Sequence, residues 1–193
     1  MPRIKAPTVA EHRVRQREAL LNAAKELLIE GGVSAVTPAA VGAAAGLSRP
    51  SVYEYFSSGA DILTAVIEDA FPRGNAELQS ALDSVTSPAE RLNVYVRVTL
   101  RLAAEGVHRP AAALAAAQLP AECLARLSEL HREQAAPFLE ALRDLEVPEL
   151  TITARLLRGV LEAAMAAIES GASLPVVTER TLVFVRSAVA PTR

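Results

Sequence analysis

The sequence predicts an all-α protein with about nine helices, and two observations support this. Alanine, leucine, glutamate and arginine dominate the chain, and its apolar residues recur three or four positions apart, while strand patterns are few. With 51% hydrophobic and 22% charged residues over 193 positions, the chain has the composition of a folded protein and not of a disordered one. We expect two domains, residues 1–59 and residues 60–193.

The first helix is predicted from about Arg13 to Glu30. Its apolar positions follow the i, i+4, i+7, i+8 spacing of one helix face, and Gly31-Gly32 ends it as a C-terminal stop. The stripe consists of Leu20, Ala24, Leu27 and Leu28.

Two short helices follow. Thr37-Pro38 is typical of an N-cap followed by the first helical residue, where the missing N–H of proline costs nothing. Gly46 ends that helix, and Ser48 caps the next one. A helix, a short helix, a tight turn with glycine and another short helix form the layout of a helix-turn-helix DNA-binding unit.

Larger helices fill the rest of the chain and predict a helical bundle. Pro72 is expected to kink or break the chain after the first of them, and Pro137 to bend a long one. The predicted spans are about 60–71, 89–105, 111–118, 121–145, 149–170 and 175–190.

The helix after Ser48 has two different faces on a helical wheel. Val52 and Phe56 fall on one side and are expected to pack against the preceding helices. The opposite side suits a major groove: an arginine near the helix start can donate twice to a guanine, and serine and tyrosine hydroxyls suit phosphates. That outer side carries Arg49, Pro50, Ser51, Tyr53 and Glu54.

Residues 17–68 resemble the N-terminal domain of the TetR family of transcriptional repressors. The resemblance rests on RQREALLNAAKELLIEGG, on Thr37 ahead of Val41-Gly42, on AAAGLSRPSVYEYF and on Asp61-Ile62-Leu63. It covers about a quarter of the chain. Each of these motifs is weak alone, and only their combination is specific for the family. The resemblance implies DNA contacts at Thr37, Ser48, Arg49, Pro50, Ser51, Tyr53 and Tyr55.

The sequence departs from the family pattern at two positions. Gly59 stands where the family usually has a phosphate-binding lysine, and Glu54 stands where an aromatic residue or histidine is common. One lost phosphate contact reduces the slope of log affinity against log salt by about 0.9. The first 17 residues hold five basic side chains and one acidic one, and within this arm Arg3 and Lys5 are expected to contact DNA.

Composition and motif spacing argue against several other classes. Cys123 is the single cysteine, which excludes an internal disulfide and favours a reduced, cytoplasmic setting. No stretch reaches about 18 apolar residues without charge, so no membrane span is expected. The three histidines lie far apart, and no glycine-rich phosphate loop or acid–base motif is present. We therefore expect no enzyme, no metal and no cofactor.

The last two helices are expected to form a homodimer interface, because one reading helix contacts too few base pairs. Their apolar faces exceed what an exposed terminal helix needs, although one face of each can also pack inward on the chain's own bundle. The interface residues proposed are Ile152, Leu156, Val160, Ala163, Ala167, Leu182, Phe184, Val185 and Val189.

The middle helices are expected to enclose a small-molecule effector, and their composition indicates a hydrophobic one. The candidate lining residues, each of which can equally be plain core, are Phe71, Tyr95, His108, Gln118, Leu119, Cys123, Phe138 and Met165.

The sequence thus predicts a homodimeric regulator that binds operator DNA, most simply a repressor released by an effector. Ligand binding is expected to move the helix over residues 60–71 and change the separation of the two DNA-reading units. The alternative is a helical ligand-binding or protein-interaction module that has weakened or lost DNA binding, which Gly59 and the sparse charge of the front unit motivate.

Overall fold

The computed structural model describes residues 9–115 and 117–190, and all regular secondary structure in these ranges is helical, so the all-α prediction is confirmed. The described residues form ten α-helices and one short 3-10 helix. They are α1 (Val9–Gly31), the 3-10 helix (Val33–Ala35), α2 (Pro38–Ala44), α3 (Arg49–Tyr53), α4 (Gly59–Ala70), α5 (Pro72–Leu82), α6 (Pro88–Ala104), α7 (Arg109–Ala115), α8 (Ala121–Asp144), α9 (Leu150–Glu169) and α10 (Leu174–Val189).

Helix α5 is the element that the sequence analysis did not predict. Pro72 is its first residue, so the proline begins a helix after Phe71 instead of only breaking one. The first helical position needs no N–H donor and fits the fixed φ of proline. Pro137 lies within α8, which continues from Ala121 to Asp144 through it.

The chain divides into two compact units. The first unit contains α1 to α4, most of α7 and the first turns of α8; the second contains α5, α6, the rest of α8, α9 and α10. Helix α4 thus groups with the front helices, whereas the sequence analysis began the second domain at residue 60. That boundary stays a prediction about which part folds independently.

The core of the first unit follows the predicted apolar pattern. The α1 positions Leu20, Ala24 and Leu28 are buried, and Leu27 is half-buried. Because apolar burial is the main stabilising term of a small helical unit, this stripe determines which face of α1 turns inward. The rest of the unit contributes Val41, Val52, Phe56, Ile62, Val66, Ile67 and Leu114.

The second unit has a larger core built from α5, α6, α8, α9 and α10. On its surface Arg73, Glu77, Arg101 and Glu105 form a closed ring of ion pairs between α5 and α6, with N–O distances of 2.6–2.9 Å. Hydrogen bonds from the two arginines lower the pKa of Glu77. Among the helices of the described ranges, none has the length and apolar character needed to cross a membrane.

Candidate nucleic-acid interface

Helices α2 and α3 meet at a close contact that glycine makes possible. A Cβ atom on Gly42 would lie 2.8 Å from Val52 Cγ2 and 3.0 Å from the Leu47 carbonyl oxygen. The turn between the helices uses Gly46 at φ +69°, and the Leu47 N–H donates to the Gly42 carbonyl at 2.8 Å. The left-handed backbone conformation of Gly46 and the close contact at Gly42 together fix the angle between α2 and α3.

Side-chain caps define the starts of both short helices, as the sequence predicted. Thr37 Oγ1 accepts from the Ala40 N–H at 3.1 Å, and Ser48 Oγ accepts from the Ser51 N–H at 3.3 Å. Ser48 and Ser51 also share a hydroxyl–hydroxyl hydrogen bond of 2.8 Å. Thr37 and Ser48 remain exposed, so each can cap its helix and still offer its hydroxyl proton to a phosphate.

Helix α3 has a packed side and an exposed side. Val52 is completely buried and Phe56 nearly so, which confirms their predicted role as the inner face. The outer face carries three predicted DNA contacts that are exposed, Arg49, Pro50 and Tyr53, whereas Ser51 is half-buried.

Arg49 and Tyr53 lie one helical turn apart and contact each other. The Arg49 guanidinium donates from Nη2 to the Tyr53 hydroxyl at 3.2 Å, and its Cζ lies 5.7 Å from the centre of the Tyr53 ring. The hydrogen bond to Tyr53 is the main reason that the pKa of Arg49 rises above its usual value. The two side chains form one exposed surface, which we call the Arg49–Tyr53 pair.

Tyr55 is turned toward α1. Its hydroxyl donates to Gln16 Oε1 at 2.7 Å, and the guanidinium carbon of Arg13 lies 5.7 Å from the centre of its ring. Tyr55 is half-buried, so its phenol ties α1 to the end of α3. Sequence reasoning missed Gln16 and Arg13 as its partners; the arginines spaced four apart in the basic N-terminal stretch were the available signal.

Arg17 joins the same side of α1 and lies with its guanidinium carbon 5.6 Å from the centre of the Phe56 ring. Arg13 and Arg17 are both exposed, so α1 presents two ordered cations beside the end of α3. Arg3 and Lys5, predicted to contact DNA from the arm, lie outside the described residues.

Gly59 is the first residue of α4. The helix start is capped by Ser58 Oγ, which accepts from the Asp61 N–H at 3.1 Å, while the Asp61 carboxylate accepts from the Ser57 N–H at 2.8 Å. A Cβ on Gly59 would meet only ordinary contacts, the nearest at 3.6 Å from the Val36 carbonyl oxygen. A Cβ atom therefore fits at this position.

The eight candidate ligand residues are distributed over both units. Phe71, Tyr95, His108, Phe138 and Met165 belong to the second unit, and Gln118, Leu119 and Cys123 belong to the first.

In the second unit, the Tyr95 and Phe138 rings lie 5.1 Å apart, and burial raises the pKa of Tyr95 to about 12. In the first unit, Cys123 is buried with its sulfur 3.4 Å from Thr64 Oγ1. Within the described ranges, no three histidine, cysteine or acidic side chains gather in a way that would suit a metal ion.

The candidate dimer surface on α9 and α10 holds only part of the predicted set. Ile152, Leu156 and Phe184 are 58%, 67% and 63% exposed, and Ala163 is exposed as well. Val160, Ala167 and Val189 are half-buried.

Two of the predicted interface residues lie in the core instead of at the surface. Leu182 and Val185 are buried in the core of their own unit and do not offer a surface to a partner. Because α10 turns 100° per residue, the side that buries these two is opposite the side that exposes Phe184. Val176 and Val183, which the sequence analysis did not single out, are exposed on that outer side.

Comparisons with known proteins agree with this geometry. Residues 20–66 match the model of the family "Bacterial regulatory proteins, tetR family". The chain is 30% identical over 95 residues to the HTH-type transcriptional regulator BetI of Rhizobium meliloti (strain 1021), a match that spans 49% of this chain and 46% of BetI. The chain thus spans about half the length of this curated relative.

Solved structures share the fold of nearly the whole chain. A TetR-like transcriptional regulator from Rhodococcus sp. RHA1 has a TM-score of 0.76 at 19% identity, with 97% of this chain and 100% of that chain covered. The structure of AibR in complex with isovaleryl coenzyme A and operator DNA has a TM-score of 0.73 at 15% identity, with 88% and 97% covered. The resemblance to the TetR family is confirmed.

Proposed function

We propose that this chain, which resembles the TetR family, is a homodimeric transcriptional repressor that binds operator DNA through α3 and is released by a small hydrophobic ligand. The observation that carries the proposal is the Arg49–Tyr53 pair, presented on the outer face of a short helix whose inner face is anchored by Val52. A packed inner face leaves the outer face free to enter a major groove about 12 Å wide.

The two members of the pair take different roles at DNA. Arg49, at the start of α3, would donate to a guanine edge, the commonest specific contact of arginine in the major groove. Tyr53 accepts a hydrogen bond from Arg49 and keeps its own O–H to donate to a phosphate oxygen. Arg13 and Arg17 on α1 would add phosphate contacts that set register.

A second copy of the chain would supply the second reading helix. Two half-sites about 34–36 Å apart lie on the same side of the duplex, and a two-fold dimer matches that spacing. The exposed apolar residues of α9 and α10 support this partner, because Leu156 and Phe184 are each more than half exposed. Burying them against a second copy would remove apolar surface from water.

The ligand would act by favouring one arrangement of the dimer over another. AibR, which shares this fold, has been solved with isovaleryl coenzyme A and operator DNA together. In the proposed mechanism, a ligand in the helical regulatory domain, proposed as residues 60–193, would move α4 and weaken operator binding. It can shift the balance only by its difference in affinity for the two states. A regulator of this kind would work in the cytoplasm, where the DNA is.

The alternative function is a helical ligand-binding or protein-interaction module that no longer binds DNA. The observation in its favour is Gly59, which removes the cation expected at the start of α4. Between Val33 and Ala60 the sequence has a single basic side chain, Arg49, and a single acidic one, Glu54. The proposed repressor compensates with the arginines of α1.

The test is DNA binding by the full chain, measured by fluorescence anisotropy on the DNA upstream of its own gene. Arg49→Ala should weaken binding by about ten- to a hundredfold, because a guanine contact contributes about 1–3 kcal/mol. Tyr53→Phe should cost a few-fold, since it removes one hydroxyl. Unchanged binding in both variants would show that α3 is not the reading helix.

The matched control is Arg97→Ala. Arg97 is an exposed arginine of the second unit whose guanidinium lies 3.5 Å from the Glu179 carboxylate. The variant removes the same charge from the unit that does not contain α3, so operator affinity should stay within about twofold.

A further inference from the structure

Two buried polar atoms of the second unit have no hydrogen-bond partner among the described residues. They are Oδ1 of Asn75, on α5, and Nε2 of His108, just after α6. A buried polar atom without a partner destabilises a fold, so such atoms are rare and each calls for a specific explanation.

Both atoms are hydrogen-bond acceptors. His108 hydrogen-bonds to the backbone of Thr99, and since Nε2 is unpartnered, the nitrogen that makes this bond is Nδ1. Burial lowers the pKa of His108, which favours the neutral ring. A neutral imidazole that donates from Nδ1 has a lone pair on Nε2, and Asn75 Oδ1 likewise can only accept.

The residues that carry the two atoms lie near neighbouring turns of α6 and α8. Asn75 follows Gly74, whose Cβ position lies 3.5 Å from Gln134 on α8 and 3.6 Å from Leu102 on α6. His108 is bonded one turn earlier on α6, at Thr99, and its pKa responds to the charge of His131, one turn earlier on α8.

Aromatic and apolar side chains surround these turns. The Phe71 ring packs edge-on against His131, with ring centres 5.0 Å apart, and the Phe71 carbonyl accepts from the Asn75 N–H. Tyr95 and Phe138 form a second ring contact on α6 and α8. Aromatic rings therefore lie on the turns next to the two acceptors, and a carboxylate bound among them would be poorly solvated and would face lone pairs instead of donors.

We propose that this place binds an uncharged, mainly aromatic or apolar molecule that donates hydrogen bonds to Asn75 Oδ1 and His108 Nε2, such as an amide, alcohol or phenol. The inference rests on the proposed function in taking this molecule as the effector, and it assigns the effector's chemical class. Because both atoms are shielded from solvent, binding requires local opening of the side chains around them.

The first test is ¹⁵N NMR of the full chain with labelled histidine, using three probes of similar size. Benzamide carries N–H donors, methyl benzoate is neutral without donors, and benzoate is charged without donors. Benzamide should shift the His108 Nε2 resonance, assigned by its loss in His108→Phe, and the two comparison probes, methyl benzoate and the benzoate anion, should not. A larger shift with benzoate, or no shift with benzamide up to its solubility limit, overturns the proposal.

The second test uses Asn75→Leu, which removes the unpartnered acceptor at similar volume. The variant should raise the Tm of the free protein, because it removes a buried oxygen that has no hydrogen-bond partner. It should also weaken benzamide binding by about fivefold. A lower Tm would mean that Asn75 has a structural partner, and unchanged benzamide affinity would mean that it is not a ligand contact. Either result contradicts the site.

Asn93→Leu is the matched control. Asn93 Nδ2 donates to Glu90 at 2.9 Å and its Oδ1 accepts from Arg186 at 3.3 Å, so this asparagine has partners for both groups. The variant should lower the Tm and leave benzamide binding unchanged. Weakened benzamide binding in Asn93→Leu would show that the Asn75 effect is not local, and would overturn the assignment.

Operator binding is measured separately, with and without benzamide. If the wild-type chain fails to bind DNA, the repressor proposal fails, while the NMR shift still supports the ligand site. If the chain binds DNA and benzamide shifts no His108 signal, the ligand site fails and the repressor proposal stands.

Discussion

Arg49 and Tyr53 hold each other in position at the surface of α3. The guanidinium both donates to the phenol oxygen and lies over the ring, so part of the rotamer freedom of Arg49 is already restricted before DNA arrives. Ordering a long side chain on binding costs about 0.5–1.5 kcal/mol, and a side chain oriented in advance avoids part of that cost. This is the physical reason for a tyrosine one turn after the arginine.

Gly59 permits a direct test of how the domain contacts phosphates. Gly59→Lys should increase affinity for DNA of any sequence and steepen the slope of log affinity against log salt by about 0.9 per subunit, because it adds one phosphate contact. The Cβ of the new side chain fits, since it meets nothing nearer than 3.6 Å. The measurement is anisotropy on operator and random duplexes over a salt series.

Gly59→Ala is the control for that variant and should leave the salt slope unchanged. An unchanged slope in Gly59→Lys as well would place the start of α4 away from the DNA backbone.

At the scale of elements, the contact between α2 and α3 depends on Gly42. Gly42→Ala would bring a methyl group within 2.8 Å of the Val52 side chain and 3.0 Å of the Leu47 backbone, so the helices must separate. Overpacking of this kind costs about 1–3 kcal/mol. We expect a lower Tm together with weaker operator binding, measured by calorimetry and anisotropy.

The comparison variant is again Gly59→Ala, in the same unit, where the added methyl makes only ordinary contacts. It should not lower the Tm. If Gly42→Ala also melts like the wild type and binds operator normally, the close contact does not set the angle between the helices.

Local signals determined which elements the sequence could predict. The caps Thr37 and Ser48 and the glycine turn at Gly46 act within a few residues, and the structure has them as predicted. Helix α5 was not predicted because a proline can either end one helix or begin the next. Only the residues after Pro72 decide which of the two occurs.

Side-chain directions that depend on partners far along the chain were harder to predict. The orientation of Tyr55 is set by Gln16, 39 residues away, which no spacing rule indicates. Leu182 and Phe184 are close neighbours in sequence and both apolar, yet one is buried and the other is 63% exposed. Periodicity showed that α10 has apolar residues on two sides; only the packing of the second unit shows which side faces inward. Nothing in the structure explains Glu54.

At the scale of the whole molecule, the exposed residues of α9 and α10 predict self-association. Phe184→Glu should convert the proposed dimer to a monomer. The dimer interface would bury this position, and the substitution would place a charge without a partner there. Sedimentation equilibrium gives the mass, and operator affinity should fall with it, since a single reading helix holds one half-site.

Ala89→Glu is the matched control. Ala89 is exposed in the first turn of α6, where a carboxylate is favourable to the helix dipole. This variant should keep the mass and affinity of the wild type. A Phe184→Glu protein that remains dimeric would move the interface away from this face.

The central claim is that two copies of α3 read successive major grooves of an operator. Hydroxyl-radical footprinting of the full chain on its own upstream DNA tests it most directly. Two protected half-sites are expected on one side of the duplex, with centres about 34–36 Å or a multiple of that apart, and both should be lost in Arg49→Ala. Protection of neither half-site by the wild-type chain would contradict it and favour a helical module that does not bind DNA.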